Sequence, residues 1–209
     1  MSLHSSLGHS IVGIAAGLVA IVAAAQVPPN ELIADLTEEL YELVDEKREE
    51  YKSDPSLLKE TVDRRMRQHV DTLYSARLVL GRYGRGLDSS QINAFADALG
   101  SSLMDQYAMR LLDFDRGNVV EILAFDREQD PRRTRVRTRL QLDNGSFMPV
   151  DYVLRQSGDQ WLVFDVIVEG ISYVATFRNQ IGEQIAAEGF ERTLERLQQG
   201  QLALRAEDS

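Results

Sequence analysis

Residues 133–168 read RTRVRTRLQLDNGSFMPVDYVLRQSGDQWLVFDVIV. Arg133, Arg135, Arg137 and Arg139 alternate with Thr134, Val136, Thr138 and Leu140, and Leu142 extends the second set. Successive side chains on a strand point to opposite faces, so this segment has a cationic outside and an apolar inside. Asn144-Gly145 signals a hairpin and Ser157-Gly158-Asp159 a second turn. With a shorter apolar run before them, these segments predict four strands, over 119–126, 133–143, 147–155 and 161–168. Connections this short favour an antiparallel meander.

On both sides of the strands the apolar period changes from two to that of a helix. Upstream, Asn30 is positioned to cap a helix over 30–52 with the stripe Leu32, Leu36, Leu40, Leu43 and Val44. Asp54-Pro55 opens a second helix. Leu58, Val62, Met66, Val70 and Leu73 keep its period, and a further segment runs to Gly81. Gly84 and Gly86 interrupt the chain, and Asp88 or Ser89 caps a long helix to Asp113 carrying Ile92, Phe95, Leu99, Leu103, Tyr107 and Leu111. Downstream, Ile171, Val174, Phe177, Ile181 and Ile185 are helically spaced, and Gly189 separates a last helix with Phe190, Leu194 and Leu197. The expected fold is α+β, a four-stranded antiparallel sheet packed with helices. The tail 201–209 is expected to be flexible.

Residues 1–25 contain no Asp, Glu, Lys or Arg, and 11–25 read IVGIAAGLVAIVAAA before Gln26-Val27-Pro28-Pro29. A 15-residue apolar run ending in small residues predicts a secretory signal peptide cleaved after Ala25. An uncleaved N-terminal anchor is the alternative, since only His4 and His9 stand where Lys or Arg is usual. The folded domain is then expected over 26–200, in an extracytoplasmic compartment.

Composition removes most chemistry. The 209 residues are 44% hydrophobic and 27% charged, the balance of a globular protein, with a net charge of -10. An acidic chain is a poor nucleic-acid binder, because phosphate neutralisation needs surplus Lys and Arg. No Cys is present, which excludes disulfides and thiolate metal sites. Beyond the signal segment His69 is the single histidine, so a Ser-His-Asp triad or a zinc site has little to draw on. Neither GxGxxG nor GxxxxGK[ST] occurs. Asp35, Glu38, Glu39, Glu42 and Glu46 share a helix face that suits solvent, Ca²⁺ or a basic partner, with solvent favoured because no liganding loop interrupts them. The four strand arginines suit solvent first, and lipid phosphates or an acidic partner second.

The run from Trp161 to Phe177, WLVFDVIVEGISYVATF, resembles the signature of the MlaC family, also called the toluene-tolerance auxiliary component family. The matching residues are Trp161, Phe164-Asp165-Val166, Glu169-Gly170-Ile171-Ser172 and Arg178-Asn179-Gln180. Leu80-Gly81-Arg82-Tyr83, Phe95, Tyr107-Ala108, Gly145 and Val150-Asp151-Tyr152 fit as well. Gly84 and Leu162 depart from the pattern, standing where an aromatic and a polar residue are common.

The resemblance implies a cone resembling nuclear transport factor two, with an apolar pocket between sheet and helices. It implies a periplasmic phospholipid carrier without a cofactor, the phospholipid being cargo, and no enzymatic activity. Its implied partners are an inner-membrane Mla ABC transporter complex, met through a ring-forming lipid-binding subunit, and an outer-membrane Mla lipoprotein complex. Its implied role is maintaining outer-membrane lipid asymmetry. A pocket near the upper end of ligand sites, about 1,000 Å³, is expected. Its expected walls are Val136, Leu140, Tyr152 and Leu154 from the inward strand face and Phe164, Val166 and Val168 from the signature strand. The helices contribute Leu78, Phe95, Leu99, Leu103, Ile171, Val174 and Phe177. Asp165 and Glu169 are expected to hold the fold, Gly170 to allow a sharp turn, and Gly81, Gly84 and Gly86 to serve turns or hinges. Two other classes stay open: an enzyme of the same cone-like fold with Asp165 and Tyr152 on a polar pocket floor, and an adaptor with a filled core.

Overall fold

The computed structural model describes residues 27–113, 117, 119–123, 132–142 and 144–205. The expected signal peptide, the later part of the first strand and the end of the tail lie outside the described residues. Among the described residues five strands form one antiparallel sheet in the order β1-β2-β3-β4-β5: β1 Val120–Ile122, β2 Arg133–Gln141, β3 Phe147–Ser157, β4 Gln160–Val168 and β5 Ile171–Ser172. The meander follows the turn residues. Gly158, at φ 60, begins the two-residue turn closed by the Ser157–Gln160 pair. Glu169 at φ 51 and Gly170 at φ 88 form the turn closed by Val168–Ile171, both central residues in the left-handed region that a type I′ turn needs. This turn produces a fifth strand, where helical spacing had predicted helix from Ile171.

Alternation along β2 survives folding. Thr134, Val136, Thr138 and Leu140 are buried, and Arg133 and Arg137 are exposed. The remaining arginines are partnered on the sheet: Arg135 with Asp151, and Arg139 with Glu121 through Nε at 2.7 Å. Arg133 lies over the Phe164 ring at 4.7 Å. A register shift then alters β4. Val153 pairs with Asp165 and Leu154 with Val163, leaving Phe164 as the extra residue of a bulge.

Among the described residues six α-helices accompany the sheet: α1 Pro29–Ser53, α2 Pro55–Met66, α3 Thr72–Leu80, α4 Ser89–Tyr107, α5 Tyr173–Glu188 and α6 Phe190–Gln198. Helix α1 begins one residue earlier than Asn30, with Pro29 in its first turn and Pro28 at the cap. Asp54 caps α2 by accepting from the Ser56 and Leu57 N–H groups at 3.0 and 3.3 Å. Asp88 and Gln91 form a reciprocal capping box on α4, and hydrogen bonds from Ser90 and the Gln91 backbone hold the Asp88 carboxyl below its ordinary pKa. The expected helix through Val70 is broken: a 3-10 turn Arg67–His69 follows α2, and Val70 makes a bridge to Val163. The expected helix to Asp113 ends at Tyr107 and continues as a 3-10 segment, Ala108–Asp113.

Among the described residues burial falls into three apolar clusters. One joins α3 to α6 around Phe95, Leu99, Phe177 and Ile181. A second joins α1, α2 and the 3-10 segment around Val44, Tyr51, Leu58 and Leu112. The third packs Ile33 of α1 on Val136, Leu154 and Val163 of the sheet. The tail is docked as far as Arg205, contrary to expectation. Leu204 is wholly buried, and the Gln180 amide donates to the Arg205 carbonyl at 2.6 Å and accepts from its N–H at 3.1 Å.

Candidate functional site: an apolar cavity where three clusters meet

The three clusters do not merge. Between them lies a cavity of about 380 Å³, smaller than the expected volume. Helix α4 supplies one wall from a single face, with Ala96, Leu99, Gly100, Leu103, Met104 and Tyr107 at helical spacing. Small residues keep that wall low: a Cβ on Gly100 would meet only Thr72 Cγ2, at 3.6 Å. Val62 and Met66 of α2 face it, Ala108 and Leu111 continue it, and Val174 and Phe177 of α5 close the far side. The β4 bulge supplies the floor from Val163, Phe164, Asp165 and Val166.

The bulge explains the floor. Val70 and Asp71 hydrogen-bond along the free edge of β4, Asp71 N–H donating to the Val163 carbonyl at 2.8 Å. The Phe164 carbonyl accepts from Ser75 Oγ at 2.7 Å. These contacts give the Val163 and Phe164 carbonyls partners where the strand borders an apolar space. Asp165 is likewise engaged: its carboxylate accepts from Ser172 Oγ at 2.6 Å and from Val174 N–H at 3.0 Å. Ser172 Oγ in turn accepts from Ala175 N–H at 3.0 Å and caps α5. Asp165 therefore holds the strand-to-helix turn, as expected. Glu169 serves the same turn through its backbone, its N–H donating to the Pro149 carbonyl at 3.0 Å.

Of the expected wall residues, Leu99, Leu103, Phe164, Val166, Val174 and Phe177 line this cavity. The other eight do not. Val136, Leu140 and Leu154 are buried, Val136 and Leu154 beneath α1, and Tyr152 packs against the same cluster. Phe95 is wholly buried inside the helical cluster, with Leu78 packed against it. Val168 and Ile171 pair with each other across the last hairpin. The residues that sequence reasoning missed are chiefly Val62, Met66, Val79, Ala96, Met104, Tyr107, Leu111, Val163 and Tyr173. The α4 set carried a signal: small Ala96 and Gly100 beside large apolar residues on one face.

The polar-floor constellation is not assembled. Tyr152 pairs with Val166 and Asp165 with Val153, so alternation sends Tyr152 and Asp165 to opposite faces of the sheet. Burial pushes the Tyr152 phenol up to about 12, with Tyr41 adding to the shift. Gly81, at φ 51, ends α3 against Arg178, and neither it nor Gly84 or Gly86 borders the cavity. Of the α1 acidic face, Asp35, Glu38, Glu42 and Glu46 are exposed, and Glu39 accepts from Arg65 at 2.9 Å. Among the described residues no group of three His, Asp or Glu side chains is placed to hold a metal, and no helix is long and apolar enough to cross a membrane.

The cavity rim is charged. Arg67, Val70 and Asp97 are its exposed members, and Asp63 is half-buried. Arg67 donates from Nε and NH2 to the Asp63 carboxylate at 2.8–3.1 Å. That hydrogen bond, with the Asp63 charge, raises the arginine's pKa above its ordinary value.

Residues 34–199 match the profile of a family described as "MlaC protein". The chain is similar to toluene tolerance protein ttg2D of Pseudomonas putida, 27% identical over 186 residues that cover 88% of this chain and 85% of that protein. Its fold is similar to that of a phospholipid-binding protein from Ralstonia solanacearum solved in complex with a phospholipid. The TM-score is 0.73 at 19% identity, over 86% of this chain and 100% of that one.

Proposed function

The chain belongs to the MlaC family, and from that premise we propose that it is a periplasmic phospholipid carrier whose acyl-chain site is the cavity among α2, α3, α4, α5 and β4. The observation that carries this reading is an apolar space of about 380 Å³ left open at the junction of three cores. Close-packed interiors rarely leave a void of that size unless it serves a ligand.

Two acyl chains of roughly 15 CH₂ each lose on the order of 20 kcal/mol when they enter water, at ~0.8 kcal/mol per CH₂. A protein wall as apolar as the bilayer removes most of that barrier, and no catalytic group is needed. The headgroup stays at the rim among Arg67, Asp63 and Asp97. A diacyl lipid requires a wider cavity than this one. The wall suited to move is α2, which leans on α1 and the 3-10 segment Ala108–Asp113 more than on α4. Exchange with an inner-membrane Mla ABC transporter complex and an outer-membrane lipoprotein complex, and through it outer-membrane lipid asymmetry, belongs to the same proposal.

The test is organic extraction of the purified protein followed by mass spectrometry. About one phospholipid per chain is expected. A folded, empty protein that also takes no lipid from vesicles would overturn the reading.

A further inference from the structure

The rim places one cation between two anions. Asp63 engages Nε and NH2 of Arg67 and so fixes the plane of the guanidinium. NH1 is left facing Asp97, whose Oδ1 is 4.0 Å away, an ion pair too long for a hydrogen bond. Among the described residues no acceptor takes the NH1 protons. The rim thus presents a fixed donor edge beside a carboxylate that is free to approach something else. Asp97 stands on α4, one turn before Gly100 of the cavity wall, and Arg67 follows directly on α2, one position beyond the wall residue Met66. A molecule whose chains fill the cavity has its polar end here.

We propose that this rim selects phospholipids with a zwitterionic phosphate–amine headgroup, the phosphate seated on the NH1 edge of Arg67 and the amine facing Asp97. The inference rests on the carrier reading above and adds the headgroup class to it. A guanidinium edge suits a phosphate oxygen pair, and an ammonium is a compact charge that suits a carboxylate. Asp63, Arg67 and Asp97 sum to one negative charge. A zwitterion replaces the long Arg67–Asp97 pair with two shorter ones, while an anionic phosphoglycerol headgroup satisfies Arg67 and leaves Asp97 facing a second anion. The chain's net charge of -10 acts in the same direction at low ionic strength.

The experiment uses the delipidated protein and mixed vesicles holding equal amounts of phosphatidylethanolamine and phosphatidylglycerol with identical acyl chains. Protein-bound lipid is extracted and both headgroups counted by mass spectrometry. Exposed charge pairs of this kind support a preference of about threefold for phosphatidylethanolamine. Screening should bring it toward parity at about 0.5 M salt. Asp97, with 78% of its side chain exposed, tolerates substitution. Asp97→Asn should bring the phosphatidylethanolamine-to-phosphatidylglycerol ratio toward one, and Asp97→Lys should reverse it. Arg67→Gln should lower the occupancy of both lipids. Glycerophosphoethanolamine without acyl chains should not compete, which separates a lipid headgroup from a free phosphate ester.

Full loading with equal amounts of both lipids overturns this inference and leaves the carrier reading standing. So does a preference that neither Asp97 variant moves. A protein that takes up neither lipid overturns both.

Discussion

Asp71 and Arg155, 84 residues apart, tie the first turn of α3 to β3. Arg155 donates to Asp71 Oδ2 from Nε at 2.6 Å and NH2 at 2.5 Å, while Oδ1 accepts from the Tyr74 N–H at 2.9 Å. The guanidinium also lies over the Tyr74 ring at 4.4 Å. One carboxylate is therefore both helix cap and ion-pair partner, with only 10% of its side chain exposed. Asp71→Ala should cost about 2–4 kcal/mol, combining a lost cap with an uncompensated, partly buried cation. Arg155→Met should cost less, because the cap survives. Urea unfolding of both variants checks the order, and an Asp71→Ala loss no larger than that of Arg155→Met refutes the double role.

Tryptophan substitutions distinguish wall from core. Val136 is wholly buried beneath Ile33 of α1, so Val136→Trp should destabilise the delipidated protein by about 1–3 kcal/mol through overpacking. Leu103 borders the cavity, so Leu103→Trp should leave delipidated stability unchanged or raised, by filling empty space, and lower lipid stoichiometry. Melting curves and lipid counts on the same preparations decide it. Equal destabilisation by both would mean that the space beside Leu103 is not open.

Tyr152 gives the protein an alkaline limb. Its phenol titrates near 12 in the folded state against an ordinary value of 10. The folded state thus holds a proton that the unfolded state releases. The contribution is fully present below pH 10 and is lost as the pH rises to about 12, an effect of about 2–3 kcal/mol. Tyr152→Phe should abolish that limb. Denaturant midpoints between pH 9 and 12 for both proteins test this, and parallel curves would disprove it.

The tail should matter to stability. Leu204 is wholly buried, and its carbonyl accepts from the cavity residue Tyr107 at 3.3 Å. Leu204→Ala should cost about 2–4 kcal/mol, the usual range for a large-to-small core change. Truncation after Gly200 should cost at least as much. A truncated protein as stable as the full chain would show that the docked segment contributes nothing.

Much of the sheet was legible because strand alternation and turn chemistry are local. The Arg-Thr-Arg-Val pattern sets the inside of β2 whatever packs there, and Gly158 and Gly170 sit where left-handed backbone is required. The break after Met66 was not legible. Val62, Met66 and Val70 keep helical spacing, yet Val70 and Asp71 are claimed by the β4 edge, a partner more than 90 residues away. The same edge, with its bulge, turns Phe164 and Asp165 toward the cavity.

The sequence by itself determined an antiparallel meander with an apolar inner face and a cationic outer one, helices on either side, and the absence of thiol chemistry. Periods of two and 3.6, turn glycines and composition need no knowledge of distant neighbours. Only the tertiary structure decided which apolar side chains fill a core and which border a cavity. Leu99 and Phe95 stand four residues apart on the same helix with the same chemistry. One meets empty space and the other meets Phe190, because the gap is set by how three clusters fail to close on one another.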